Sequence, residues 1–118
     1  MVALLLGRTM IGERVGDVSR AIDFLETQPE IDCARIGCMG NSGGGTVTYY
    51  ASAYDERIKA AMPSCSVCTY WDSIGSNFHC LDNYLPGVLK YFDIGDIAAL
   101  NSPRKLVVVG VEDDIFSP

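Results

Sequence analysis

The stretch Arg35-Ile36-Gly37-Cys38-Met39-Gly40-Asn41-Ser42-Gly43-Gly44-Gly45 decides how this chain is to be read. Its first five residues, Arg35 to Met39, form a short extended run, and the glycines around Ser42 break it. Thr46 to Ala53 can then form a helix. The order is strand, tight turn, helix. Within it, Gly40-Asn41-Ser42-Gly43-Gly44 fits G-x-S-x-G, a pattern whose physics is a turn so sharp that the serine takes a strained backbone conformation at the sheet edge. Gly40 and Gly44 are expected to be the places where a Cβ would make strand and helix collide. Gly43 offers a backbone N–H beside the serine oxygen, an oxyanion donor, and the helix adds its positive end. A glycine-rich turn can also cradle phosphate, but the lysine of a phosphate loop is missing.

Working outward, Val15, Val18, Ile22 and Leu25 recur at steps of three and four, which predicts a helix over Glu13 to Gln28 that Pro29 ends. Ile58 to Met62 reads as a buried strand. Leu106 to Val109 reads as a strand covered on both faces. Tyr91 to Leu100 has room for one short helix. Helical segments between strands favour a parallel sheet. Between the second and third strands, roughly Ser64 to Leu89 is irregular and holds Trp71, His79 and Pro86-Gly87; a loop of that length is more often functional than idle. There is no internal repeat and no linker, so residues 1–118 are expected to form a single domain.

Composition narrows the classes. The chain is 48% hydrophobic and 20% charged, which fits a globular protein. Its net charge of -6 is spread without a basic stripe, which argues against nucleic acid. No segment approaches the ~20 apolar residues of a membrane helix. Met1 to Leu6 is too short and lacks the basic residues of a signal peptide. A cytoplasmic location is the expectation. The five cysteines are an odd number in apolar surroundings, expected to be reduced and buried.

A serine hydroxyl needs a base to take its proton and an acid to orient that base. Asp113 follows the strand Leu106 to Gly110, so it is expected on the same sheet rim as Ser42. Asp114 is adjacent and could substitute, and Asp72 and Asp82 are weaker alternatives. No histidine follows Asp113 in this sequence. His79 precedes it, in the irregular stretch, and is expected to be structural.

Several segments together resemble the acetyl xylan esterase-like hydrolases, relatives of the dienelactone hydrolase group. They are Leu5-Leu6-Gly7-Arg8-Thr9, Ala21-Ile22-Asp23-Phe24-Leu25, Gly40 to Gly45, Asp55-Glu56-Arg57-Ile58-Lys59-Ala60, His79-Cys80, Asn83-Tyr84-Leu85-Pro86-Gly87, Asp96-Ile97-Ala98-Ala99-Leu100 and Pro103-Arg104. The resemblance implies a partial α/β-hydrolase fold: a parallel sheet of about three strands with flanking helices, lacking the early strands and the last strand. It implies a serine carboxylesterase acting on small acyl esters or acetylated carbohydrate, with Ser42 as nucleophile, Gly43 at the oxyanion hole and Asp113 as acid. It also implies a catalytic histidine placed after Asp113, so the chain alone is expected to be inactive, and whether it counts as an enzyme is left open. No cofactor is implied.

Two other classes compete. Cys65-Ser66-Val67-Cys68 with His79 and Cys80 has a zinc-like C-x-x-C spacing, although adjacent His79 and Cys80 converge awkwardly on one ion. A non-catalytic remnant that associates through exposed strand edges, as a homo-oligomer, is the other.

Overall fold

The computed structural model describes residues 2–76 and 78–110. After one exposed helical turn (α1, Val2–Leu5), Thr9 caps α2 (Met10–Leu25) by accepting the Gly12 N–H on its hydroxyl at 3.2 Å. Ile11 and Ile22 bury one stripe of α2. The helix starts three residues earlier than the apolar spacing suggests, because the cap lies outside the periodic run. It also stops three residues earlier: the Thr27 hydroxyl donates to the Phe24 carbonyl and competes with the helical pattern before Pro29 is reached.

Three parallel strands follow in the spatial order β1-β2-β3: β1 (Gly37–Asn41), β2 (Ala60–Ser64) and β3 (Lys105–Leu106). Between them lie α3 (Gly43–Tyr54) and α4 (Ile94–Leu100). Cys38, Ala61 and Leu106 are aligned across the sheet and lie on its covered side. On the other side Met39 is 71% exposed. The expectation that Leu106 to Val109 is covered on both faces is therefore corrected. The regular strand is only two residues long, Val107 is 56% exposed, and Val109 meets Ser64 through an isolated bridge. A β-branched run fits either a two-sided interior or an open face, and only packing separates them.

Helix α3 sits between two apolar clusters. On one side are Ile22, Ile36, Ala51 and Ile58; on the other, Tyr49, Tyr70, Ile94 and Ile97. The Tyr49 hydroxyl donates to the Ile94 carbonyl at 2.8 Å, tying α3 to α4. The segment Asp55-Glu56-Arg57 locks α3 to α2. Arg57 donates to Asp55, to Asp23 at 2.8 Å and to Glu26 at 2.8 Å, while the Ser19 hydroxyl donates to Asp55 at 3.0 Å. Asp55 is 8% exposed, and the Arg57 guanidinium holds its carboxyl down at about 2. Arg104 reaches back to the end of α3, donating to the carbonyls of Ser52, Asp55 and Ile58, and also to Leu100 in α4. These contacts give the Asp55-Glu56-Arg57 and Pro103-Arg104 segments a structural reason.

The long segment between β2 and α4 is held by local backbone turns and side-chain hydrogen bonds instead of a ladder. Asp93 caps α4 and also accepts the Tyr70 backbone N–H at 2.8 Å, which anchors the middle of that segment. The five cysteines are free, but only partly buried, and Cys80 is exposed, so the expected burial is corrected. No helix among the described residues is long and apolar enough to cross a membrane.

Candidate active site

Ser42 stands between the last residue of β1 and the first of α3, at φ 53° and ψ -123°. These angles match the first central position of a type II′ turn, which favours glycine, so a serine here carries backbone strain. Its surroundings hold it there. The Ser42 N–H donates to the Ser64 carbonyl at 2.8 Å, and the Thr46 N–H donates to the Ser42 carbonyl at 3.0 Å.

The glycines explain why the turn can be so tight. A Cβ at Gly40 would strike the Gly44 carbonyl group and come within 2.9 Å of Thr48 Oγ1. A Cβ at Gly45 would lie 2.5 Å from the Ser64 carbonyl oxygen and against Ser66 Oγ. At Gly44 a Cβ would meet nothing within 4 Å, so the second indispensable glycine is Gly45 and not the expected Gly44. Gly44 contributes its backbone to the contact with Gly40. Gly43 opens α3, where the leading N–H groups have no intrahelical acceptor and are available to an anion.

The end of β2 repeats the sharp turn. Cys65 has φ 52°, and its N–H donates to the Val109 carbonyl at 2.8 Å. Strained residues thus leave two neighbouring strands at their carboxyl ends, the edge where open α/β sheets place their sites.

A cavity of about 310 Å³ opens beside Ser42. Its wall includes Gly43, Tyr50, Ser66, Tyr70 and Asp82, and it brings His79 to the same space as Ser42. His79 is already engaged on both ring nitrogens. Asn83 Nδ2 donates to Nδ1 at 3.0 Å, which leaves Nε2 protonated and donating to Ser73 Oγ at 2.8 Å. Asp72 accepts from the Thr69 hydroxyl in a local turn. Asp113 and Asp114 lie outside the described residues.

Among the described residues no three His, Cys, Asp or Glu side chains are grouped to hold a metal ion. Cys68 gives its thiol proton to the Thr69 carbonyl, and burial pushes that thiol's pKa up, against the thiolate form that zinc requires.

The cavity also contains groups that periodicity could not announce. Tyr50 OH, Ser66 Oγ and Tyr70 OH are buried and have no hydrogen-bond partner among the described residues, and all three residues line it. Burial raises the Tyr70 pKa further above its usual value and keeps the hydroxyl protonated.

A parallel sheet whose first strand turns through a strained serine into a helix is a partial α/β-hydrolase fold, with Ser42 at the strand-to-helix turn. A solved CE15 esterase from a marine bacterial metagenome has the same fold, with a TM-score of 0.66 and 23% identity over 88% of this chain and 31% of that one. Residues 13–75 match the acetyl xylan esterase (AXE1) family, and the chain belongs to that family. Among curated proteins it is similar to the putative hydrolase YtaP of Bacillus subtilis, 32% identical over 93% of this chain and 38% of that protein. It is also similar to the 4-O-methyl-glucuronoyl methylesterase of Hypocrea jecorina, 32% identical over 86% of this chain and 28% of that protein. The chain thus spans well under half the length of these relatives.

Proposed function

We propose that this chain carries the nucleophile of a carboxylesterase that cleaves small acyl esters or acetylated carbohydrate. The backbone of Ser42 carries the reading, because a strained serine between β1 and α3 presents its hydroxyl to a cavity where an ester can lie. Ser42 Oγ attacks the carbonyl carbon, its proton passes to a base, and the oxyanion that forms is met by the Gly43 N–H. Asp113 is the acid that orients the base. The base is not His79, whose Nε2 is committed to Ser73 and whose Nδ1 is taken by Asn83.

The 118-residue chain by itself should therefore turn over p-nitrophenyl acetate poorly or not at all. Appreciable turnover that disappears in Ser42→Ala would overturn the assignment of the base and require His79 or a second chain to supply it.

A second reading concerns assembly. β1 and β3 each have one strand neighbour among the described residues, and Met39 on β1 is exposed. We propose that copies of the chain associate through these edges. A monodisperse monomer in sedimentation would refute this.

A further inference from the structure

The long segment between β2 and α4 folds into a second concavity, a groove of about 600 Å³ that has only Tyr70 and Ile74 in common with the cavity beside Ser42. Its walls are set by local backbone turns. On one side the Gly75 N–H donates to the Tyr70 carbonyl at 2.8 Å, and a Cβ at Gly75 would lie 2.7 Å from the Trp71 carbonyl oxygen. On the other, Gly87 turns the chain at φ 77°, and the Lys90 N–H donates to the Gly87 carbonyl at 3.1 Å. Large apolar side chains stand open to water here: Trp71 is 72% exposed and Leu89 56%, and both line the groove. An apolar, partly aromatic hollow of this size with a single charged group has the make-up of a small-molecule site.

That charged group is Lys90, the one ionic side chain among the described lining residues. In a chain of net charge -6, Arg8, Arg14, Arg20, Arg35 and Arg57 all take carboxylate partners, whereas no carboxylate among the described residues pairs with Lys90. The acidic residues next in sequence to the two walls are turned elsewhere. Asp72 accepts from the Thr69 hydroxyl, and Asp93 accepts the N–H groups of Tyr70 and Ile94. The groove therefore offers apolar surface and one open positive charge, which a ligand with an apolar body and a negative head would complement.

We propose that this groove binds a free medium-chain carboxylate, with its unbranched chain against Trp71 and Leu89 and its head group at the Lys90 ammonium. The site is separate from Ser42 and does not depend on the reading of that residue as a nucleophile.

The test titrates the chain with octanoate at concentrations where the probe is monomeric, with 1-octanol and octylammonium as neutral and cationic probes of the same length. Trp71 is the sole tryptophan and lines the groove, so its fluorescence reports binding directly. Octanoate should give a saturable change, octanol should bind about fivefold more weakly, and octylammonium more weakly again. Lys90→Gln should cost octanoate that same factor and leave octanol unchanged, with the thermal midpoint of the unliganded protein unaltered. Backbone amide shifts of Gly75, Val88 and Lys90 should move with octanoate, while those of Gly37 and Met39 on the open side of the sheet stay in place. The proposal is overturned by an absence of saturable binding, by octanol or octylammonium binding as tightly as octanoate, or by an unchanged octanoate affinity in Lys90→Gln. Shifts confined to the open side of the sheet, or binding that appears only once octanoate forms micelles, would overturn it equally.

Discussion

Ser42 donates its backbone N–H to the carbonyl of Ser64 at 2.8 Å, so the peptide of the candidate nucleophile is fastened to the end of the neighbouring strand. One residue further on, the Cys65 N–H is fastened in the same way to Val109. The rim of the site is therefore a continuation of the sheet's hydrogen bonding past the point where β1 and β2 turn away. Position, not reactivity, is what these bonds provide.

The close approach at the elbow makes a graded prediction for three glycines. Gly40→Ala and Gly45→Ala should each destabilise the chain by about 2–3 kcal/mol, because backbone atoms block the new methyl and cannot rotate aside. Gly44→Ala, in open space within a helix, should be neutral or stabilising by up to about 1 kcal/mol. Urea unfolding of the three variants checks the order, and equal losses would contradict the geometry.

Strain at Ser42 should be separable from its chemistry. Ser42→Gly relieves the left-handed backbone and should stabilise the protein by about 1 kcal/mol while removing the hydroxyl. Ser42→Ala keeps the strain and should show no such gain. Thermal unfolding of the pair measures it, and a Gly variant no more stable than the Ala variant would mean that the turn is not strained.

The Asp55 pair gives stability a definite pH dependence. Its carboxyl lies at about 2 in the fold against 3.8 unperturbed, so the unfolded chain takes up the proton first as pH falls. The stabilisation is fully present above about pH 5 and is lost as pH falls towards 2, and it amounts to about 2 kcal/mol. Asp55→Asn should lower stability at pH 7 and flatten the acid limb of stability against pH. An acid limb of unchanged steepness would place the titrating group elsewhere.

Arg104 donates to the carbonyls of Asp55 and Leu100, at the ends of α3 and α4, and of Ile58 in the connection from α3 to β2. Arg104→Ala should cost about 2–3 kcal/mol, and Arg104→Lys, with one ammonium in place of a fork, should recover only part of it. Denaturant midpoints for the two variants decide this, and full recovery by lysine would show that charge alone matters.

The parts of the fold legible in the sequence are those with a local cause. The apolar stripe of α2, the strand before Ser42 and the helix after it all follow from spacing and glycine placement, but their bounds shift: the strand is Gly37–Asn41 instead of Arg35 to Met39, because Cys33–Arg35 forms a 3-10 turn, and α3 already begins at Gly43 instead of Thr46. The strand expected over Ile58 to Met62 is shifted by two residues to Ala60–Ser64: it runs on through a buried proline, because Pro63 still offers its carbonyl to the Val109 N–H at 3.0 Å even though it has no N–H to give. The role of Gly45 was hidden because the atoms that demand it, on Ser64 and Ser66, are about twenty positions away. His79 was obscured differently: its partners Ser73 and Asn83 are only six and four positions away but lie in an irregular segment, while Tyr50, Ser66 and Tyr70 are brought to one cavity only by the folded chain.

The missing side chains at Gly40 and Gly45 also have a mechanical meaning. With backbone against backbone, α3 has no layer of flexible atoms on which to slide over β1, so helix, serine and strand behave as a single rivet. Adjustment to a ligand is then left to the opposite wall, the segment between β2 and α4, which is held by local backbone turns and by individual side-chain bonds such as that from the Tyr70 N–H to Asp93. Amide hydrogens of α3 should consequently be among the slowest to exchange among the described residues, slower than those across the cavity from them.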